Sequence, residues 1–122
     1  MAPSEGIDIT PQVGGIVKEI NFESGQDVKK GQLLVKLDIA TEEADMRSLA
    51  SQHANAVNEL TRKEKLVSKG VAPRADLDNL ETQRDTLQAN MDRLRTVIAQ
   101  KFIYAPWEGR VGIRDISLGS YL

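Results

Sequence analysis

The sequence predicts an α+β fold in which a small β-sandwich, formed by two separated halves of the chain, is interrupted by a long antiparallel α-helical hairpin. Three observations predict this fold. Residues 7–38 and 102–122 carry short apolar runs separated by glycine and proline, as strands do. Residues 41–100 switch to apolar steps of three and four, which is the period of a helix. The two strand-like stretches also repeat one another at a fixed offset.

Composition limits the chemistry that this chain of 122 residues can perform. It is 40% hydrophobic and 28% charged, so neither a disordered tail nor a membrane span is expected. Only five residues are aromatic, which favours narrow aliphatic cores over one large core. The net charge of −2 gives no whole-chain reason to bind nucleic acid or anionic lipid. With no cysteine and His53 as the one histidine, thiolate zinc sites, cysteine nucleophiles and multi-histidine metal centres are excluded.

The first β half, residues 7–38, is predicted as short strands joined by tight turns. The predicted strand positions are Ile7/Ile9, Val13, Ile16–Val17, Ile20/Phe22, Val28 and Leu33–Leu37. The residues that separate these strands are Pro11, Gly14, Gly15, Gly25 and Gly31. Within the last strand, alternation predicts that Lys36 faces solvent.

The first helix is predicted over about 41–68. Thr41 is a suitable N-cap, and the acidic residues that follow it suit the positive end of the helix dipole. Gly70 is a natural residue to end the helix. The predicted seam of this helix consists of Met46, Leu49, His53, Ala56, Leu60, Lys63 and Val67. Ala50, Ala54 and Val57 are expected to widen the stripe.

The second helix is predicted over about 74–100, with Pro73 at its start. Its seam consists of Leu77, Leu80, Arg84, Leu87, Met91, Leu94 and Ile98. Each helix should be ~40 Å long at about 1.5 Å per residue. The link 69–73 is short, so the helices should be antiparallel neighbours, and residues 39–101 form a hairpin. Its ten basic and ten acidic residues predict a solvated surface.

The second β half, residues 102–122, is predicted to complete the sandwich. Its strands are expected to carry Val111, Ile113, Ile116, Leu118 and Leu122. At an offset of 94, Gly15, Val17, Gly25 and Val28 superpose on Gly109, Val111, Gly119 and Leu122. Chance similarity among glycine and valine strands is the alternative, and geometry decides between them. The strands run to the last residue, so we expect the chain to be a fragment of a longer protein.

Three segments of the sequence together resemble a known family. Ile9–Val17 and Gly25–Leu34 resemble the first half of biotinyl/lipoyl-like domains, and Tyr104–Val111 resembles the second half. A lipoyl-like domain split by a helical hairpin is similar to the periplasmic adaptor proteins, or membrane fusion proteins, of tripartite efflux pumps and type I secretion systems. The resemblance covers about residues 7–122.

The main alternative interpretation is a carrier domain for covalently attached biotin or lipoate. Such a domain presents a lysine at the tip of the turn that joins its two halves. Here the first half continues through Asp38 and Thr41 directly into the helix, and no lysine stands at that place. We therefore expect no cofactor, and no metal or catalytic residue is assigned. Paired carboxylates such as Glu42 and Glu43 are explained by the helix dipole.

The resemblance implies a partner-binding site at the hairpin tip. The family carries an Arg, a Leu four residues later and a Ser seven beyond that, and these dock on a TolC-type outer-membrane channel. Arg62 and Leu66 match, whereas Pro73 replaces the Ser and supplies no hydroxyl. Residues 62–74 also carry four more positive than negative charges, which favours an acidic partner. The predicted tip residues are Arg62, Leu66, Lys69, Gly70, Pro73 and Arg74.

The function implied by the resemblance is assembly, not catalysis. The chain would be part of a periplasmic adaptor, anchored to the inner membrane in the full-length protein. Its partners would be an inner-membrane transporter of the RND or ABC class, a TolC-type channel and further copies of itself, often as hexamers. The alternatives are a carrier domain and a stand-alone coiled-coil interaction module.

Overall fold

The computed structural model describes residues 6–112 and 116–122. The chain divides into two compact units, one comprising Ala40–Thr96 and the other the residues up to Ile39 and from Val97 onward. In chain order the elements are β1 (Gly6–Ile7), β2 (Val17–Ile20), β3 (Asp27–Val28), β4 (Leu33–Leu37), α1 (Ala40–Ser68), α2 (Arg74–Gln100), β5 (Phe102–Tyr104) and β6 (Gly109–Val111). The fold is therefore the predicted α+β arrangement.

The β unit consists of two three-stranded sheets, each drawn from both halves of the sequence. One sheet has the order β1-β6-β3, with β1 parallel and β3 antiparallel to β6. The other has the order β2-β4-β5, with antiparallel neighbours throughout. Because β5 and β6 follow the helices in sequence, neither β half can complete its sheets without the other.

One hydrophobic core lies in this unit. Its members share exposures of 4% or less and come from strands and loops of both halves. The core consists of Ile7, Val17, Phe22, Val28, Leu34, Val35, Leu37, Ala105 and Val111. Valine, leucine and isoleucine supply most of it, as the scarcity of aromatic residues predicts.

The predicted repeat is present in the backbone geometry. The amide of Gly25 donates to the carbonyl of Val111 at 2.9 Å, and, at the offset of 94, the amide of Gly119 donates to the carbonyl of Val17 at 2.9 Å. Gly25 and Gly119 have φ values of 78° and 81°, a left-handed conformation that glycine adopts without steric cost. The two halves are therefore related by an approximate two-fold symmetry.

The same symmetry relates two cross-strand pairs of different chemistry. Each pair joins one residue of the first half to one of the second. Asp27 lies opposite Arg110, and the Arg110 Nε is 3.3 Å from the Asp27 Oδ1. At the symmetry-equivalent place, Ile16 lies opposite Tyr121, with exposures of 43% and 74%. The backbone repeats, whereas the side chains on its surface do not.

The hairpin unit buries the predicted seam. Ala56, Leu60 and Met91 are its buried residues, with exposures of 1%, 4% and 7%. The remaining predicted seam residues of both helices are half-buried, including Leu49, Leu77, Leu80, Leu87, Leu94 and Ile98. His53 is also half-buried, as expected of a packing residue on this face.

Three details of the helical prediction are wrong. Helix α1 begins at Ala40, so Thr41 lies in the first turn and is not the N-cap. Ala50 and Ala54 are exposed and do not widen the seam, whereas Val57 is half-buried. Two helices in contact cover only one narrow stripe of each other, so side chains beyond it stay in solvent. No helix in the described part of the chain is both long and apolar enough to cross a membrane.

The β prediction is wrong at two places. Val13 lies in a bend and not in a strand. Beyond β6 the described residues contain a turn with Leu118 at 66% exposure, and no further strand forms except the single bridge made by Tyr121. The predicted strand residue Ile113 lies outside the described residues.

The burial of Lys36 agrees with the predicted alternation. Lys36 remains partly exposed between Val35 and Leu37, which are both 0% exposed. Its Nζ lies 5.4 Å from the centre of the Phe102 ring on β5, a distance at which a cation is attracted to an aromatic face.

Candidate partner-binding site at the hairpin tip

The end of helix α1 is closed by a Schellman motif. Gly70 has a φ of 73°, its amide donates to the carbonyl of Val67 at 3.0 Å, and the Val71 amide donates to the carbonyl of Leu66 at 2.9 Å. These two hydrogen bonds satisfy carbonyl groups that the end of a helix otherwise leaves unpaired. The backbone of the turn is therefore held in one conformation, and Gly70 occupies the place that the sequence assigned to it.

The start of helix α2 is fixed by Pro73 and Asp76. Pro73 lies immediately before the first helical residue, Arg74, and its carbonyl accepts the Asp76 amide at 3.2 Å. The fixed φ of proline suits this position, where no amide donor is needed. The carboxylate of Asp76 lies in the first turn, where the helix dipole favours negative charge.

Two ion pairs reduce the positive charge predicted for the tip. Arg62 is paired with Glu59, one turn earlier, at 2.9 Å, and Lys63 is paired across the hairpin with Asp76 at 3.7 Å. Counting charges over residues 62–74 alone left out both of these carboxylates, because they lie just outside that range. Exposed ion pairs of this kind contribute about 0–1 kcal/mol each, so they orient side chains more than they stabilise the turn.

The predicted tip residues occupy different environments. Arg62, Lys69, Gly70, Pro73 and Arg74 are exposed, whereas Leu66 is half-buried and its carbonyl is taken up by the turn. The structure thus brings all six predicted residues to one end of the hairpin, with Leu66 supporting the turn from beneath.

Sequence reasoning missed Val71. This residue is 70% exposed at the tip, in the link between the helices. An apolar residue directly after the helix-ending glycine is common in Schellman motifs, so its presence in the sequence did not by itself indicate a contact surface. Periodicity could not find it because Val71 belongs to neither helical seam.

The described residues offer little support for other kinds of site. They contain no group of three or more His, Asp and Glu side chains that could hold a metal ion. Lys36, the last lysine before the helical insertion, lies within β4 beside Phe102 and not at the tip of a turn. Covalent modification of the kind seen in carrier domains needs a lysine that projects freely, and Lys36 does not provide this.

Comparison with known proteins places the chain in a family. Residues 5–122 match the family model described as the RND MFP barrel-sandwich hybrid domain. An uncharacterized protein of Haemophilus influenzae is 30% identical over 120 residues, which cover 98% of this chain and 31% of that protein. The multidrug resistance protein MdtA of Yersinia enterocolitica is 28% identical over 130 aligned residues, which cover 95% of this chain and 29% of MdtA.

Solved structures agree with the fold. A chimera of MacA and MexA that contains the Pseudomonas aeruginosa MexA α-hairpin domain is 26% identical, with a TM-score of 0.80 over 93% of this chain and 42% of the chimera. A putative efflux transporter from Bacteroides eggerthii has a TM-score of 0.84 at 16% identity, over 98% of this chain and 37% of that one. This chain spans about a third of the length of the curated relatives that it matches. Since the family model covers nearly all of its residues, the chain belongs to the membrane fusion proteins of the RND type, as their barrel-sandwich hybrid domain.

Proposed function

We propose that this chain is the central part of a periplasmic adaptor that links an inner-membrane transporter to a TolC-type outer-membrane channel in an efflux pump. The protein acts by assembly and performs no chemistry of its own. In the full-length protein it is anchored to the inner membrane and works in the periplasm. The family match over residues 5–122 is the observation that carries this proposal.

The hairpin tip is the surface through which the adaptor meets the channel. Arg62, Leu66, Lys69, Gly70, Pro73 and Arg74 form the tip. The support is geometric, because a Schellman motif and a proline hold the turn rigid while its cationic side chains remain in solvent. A rigid surface loses less conformational entropy on binding than a mobile loop does.

The flanks of the hairpin serve contacts between adaptor copies, which assemble as hexamers in the complete pump. The narrow contact between α1 and α2 supports this assignment of the flanks. Only Ala56, Leu60 and Met91 are buried within the hairpin unit, so most of the surface of α1 and α2 stays available.

The test is a charge reversal at the tip in the full-length adaptor. Arg62→Asp places a carboxylate beside Glu59 and removes a tip cation. We expect cross-linking between adaptor and channel to fall at least ~10-fold, as seen for charge pairs at interfaces. Drug resistance in cells should fall toward that of the deletion strain.

Lys30→Asp is the matched control. Lys30 is exposed in the turn between β3 and β4, outside the hairpin, so the same change in charge occurs at a distance from both proposed contact surfaces. Equal cross-linking and resistance in the two variants would contradict tip docking. Adaptor levels measured by immunoblot separate lost docking from lost protein.

A further inference from the structure

Val71 is an apolar side chain presented on a fixed backbone at the end of the hairpin. Its 70% exposure is exceeded only by Tyr121 among the exposed large hydrophobic residues of the described chain. The Val71 amide is held by the Leu66 carbonyl at 2.9 Å, and the next amide, of Ala72, reaches the same oxygen at 3.3 Å. Valine is also stiff at χ1, so little side-chain freedom remains for a partner to restrict.

Unpaired cations lie near this valine. Lys65, Lys69 and Arg74 form no ion pair within the described residues, in contrast to Arg62 and Lys63. Lys69 and Arg74 lie within three residues of Val71, and Lys65 is one turn before Lys69, whose amide donates to the Lys65 carbonyl at 3.2 Å. Against these three stand two carboxylates without an ion pair among the described residues, those of Glu64 and Asp78, each seven residues from Val71 along the chain. The surroundings of Val71 are therefore positive even after the ion pairs are counted.

Pro73 offers a binding partner no hydrogen-bond donor at the tip. It is exposed but has neither a side-chain hydroxyl nor an amide hydrogen to donate. The nearby hydroxyl of Ser68 is directed back to its own helix, where it donates to the Lys65 carbonyl at 2.9 Å. What the turn offers a partner is thus one apolar side chain and a set of cations.

We propose that Val71 is the apolar anchor of the tip and that Lys65, Lys69 and Arg74 orient it. This assignment rests on the proposed docking of the tip to an outer-membrane channel and adds the chemistry of the partner surface. The matching surface is a shallow apolar groove at the end of the channel, bordered by carboxylates. Burying the valine provides contact area, whereas the cations steer the approach and set its salt dependence.

The experiment measures binding of the full-length adaptor to a purified TolC-type channel in detergent, by biolayer interferometry at low and high salt. Val71→Ser should weaken binding about tenfold, as loss of a small buried anchor does. Val71→Leu should bind within about twofold of the unmodified protein, because it keeps the apolar group. Since Val71 is exposed and outside both helices, neither change should alter the helical circular dichroism.

The cations are tested by neutralisation. Lys69→Gln should weaken binding and reduce its dependence on salt, whereas Lys30→Gln, an equal loss of charge at an exposed turn of the β unit, should do neither. If Val71→Ser binds like the unmodified protein while Arg62→Asp does not, the anchor assignment is overturned and tip docking stands. If the unmodified adaptor fails to bind the channel, both proposals are overturned.

Discussion

The two units of this chain bury their residues very differently. The β unit has a core of nine residues, each with an exposure of 4% or less. The hairpin unit spans Ala40–Thr96, yet it buries only Ala56, Leu60 and Met91. Burial of apolar surface is the main favourable term in folding, so side chains in the β core should contribute more stability per residue.

The β unit is stabilised by a buried core, whereas the hairpin unit leaves most of its surface exposed. A helix that covers one stripe leaves most of its circumference for other contacts. Two spectroscopic probes report separately on the stability of the two units. Trp107, the one tryptophan, reports on the β unit by fluorescence, and circular dichroism at the helical band reports mainly on the hairpin.

The largest effect is expected in the β core. Leu37 is 0% exposed, and Leu37→Ala should lower the free energy of unfolding of the β unit by about 3–4 kcal/mol, because it leaves a cavity that packed neighbours cannot fill. Urea denaturation followed by Trp107 fluorescence measures this loss in the free energy of unfolding. Leu118→Ala is the matched control at 66% exposure and should cost less than about 0.5 kcal/mol. Equal costs for the two leucines would contradict the assignment of the core.

A smaller effect is expected in the seam of the hairpin. Leu60 is 4% exposed, and Leu60→Ala should cost about 2–3 kcal/mol, near the lower end of the range for leucine, since a two-helix seam can partly close over the gap. The loss should appear in thermal unfolding followed by circular dichroism. A helical transition unchanged from that of the unsubstituted chain would show that Leu60 does not hold the helices together.

Gly70→Ala should destabilise the turn at the tip through backbone strain alone. Gly70 has a φ of 73° with open space around its Cα, so Gly70→Ala meets no neighbour but strains the backbone, by about 1 kcal/mol. Gly112 has no left-handed φ, and a Cβ there would make only an ordinary contact with the Ile7 carbonyl oxygen at 3.9 Å, so Gly112→Ala serves as the control. Comparable stability of both variants in denaturant titrations would argue against the Schellman motif.

The smallest effect is expected for the ion pair across the hairpin. Asp76→Asn removes the partner of Lys63 and should cost less than about 1 kcal/mol, because both side chains are partly exposed. Asp78→Asn changes the same charge two residues later on the same helix, at a side chain without an ion pair in the described part of the chain. The difference between the two variants should shrink as salt is added. A difference that persists in 1 M salt would mean that the contact is not electrostatic.

Much of the fold followed from periodicity. Apolar steps of three and four located both helices to within a residue at the ends that the structure shows, and every predicted seam residue is buried or half-buried. Gly70 was identifiable because few other residues adopt the conformation that ends a helix in this way. The repeat was visible at Gly25 and Gly119 because the same turn imposes the same requirement in both halves.

The details of the tip did not follow from the sequence in the same way. Glu59 and Asp76 moderate the charge of the tip because helical geometry and the antiparallel partner bring them beside Arg62 and Lys63. Val71 stands out only when its exposure is known. Alternation predicted the exposed face for Lys36, but only the pairing of β4 with β5 shows that its Nζ lies over the ring of Phe102.

The sequence by itself determined where helices and strands form, how the chain is divided and which residues line the seam. These features depend on local conformational preference and on the spacing of apolar residues, and both can be read along the chain. Tertiary structure decided which charges are paired, which apolar side chain remains exposed at the tip, and that two symmetry-equivalent positions hold a charged pair in one case and an isoleucine with a tyrosine in the other. Those outcomes depend on residues far apart in sequence, such as Asp27 with Arg110 and Ile16 with Tyr121, that only folding brings together.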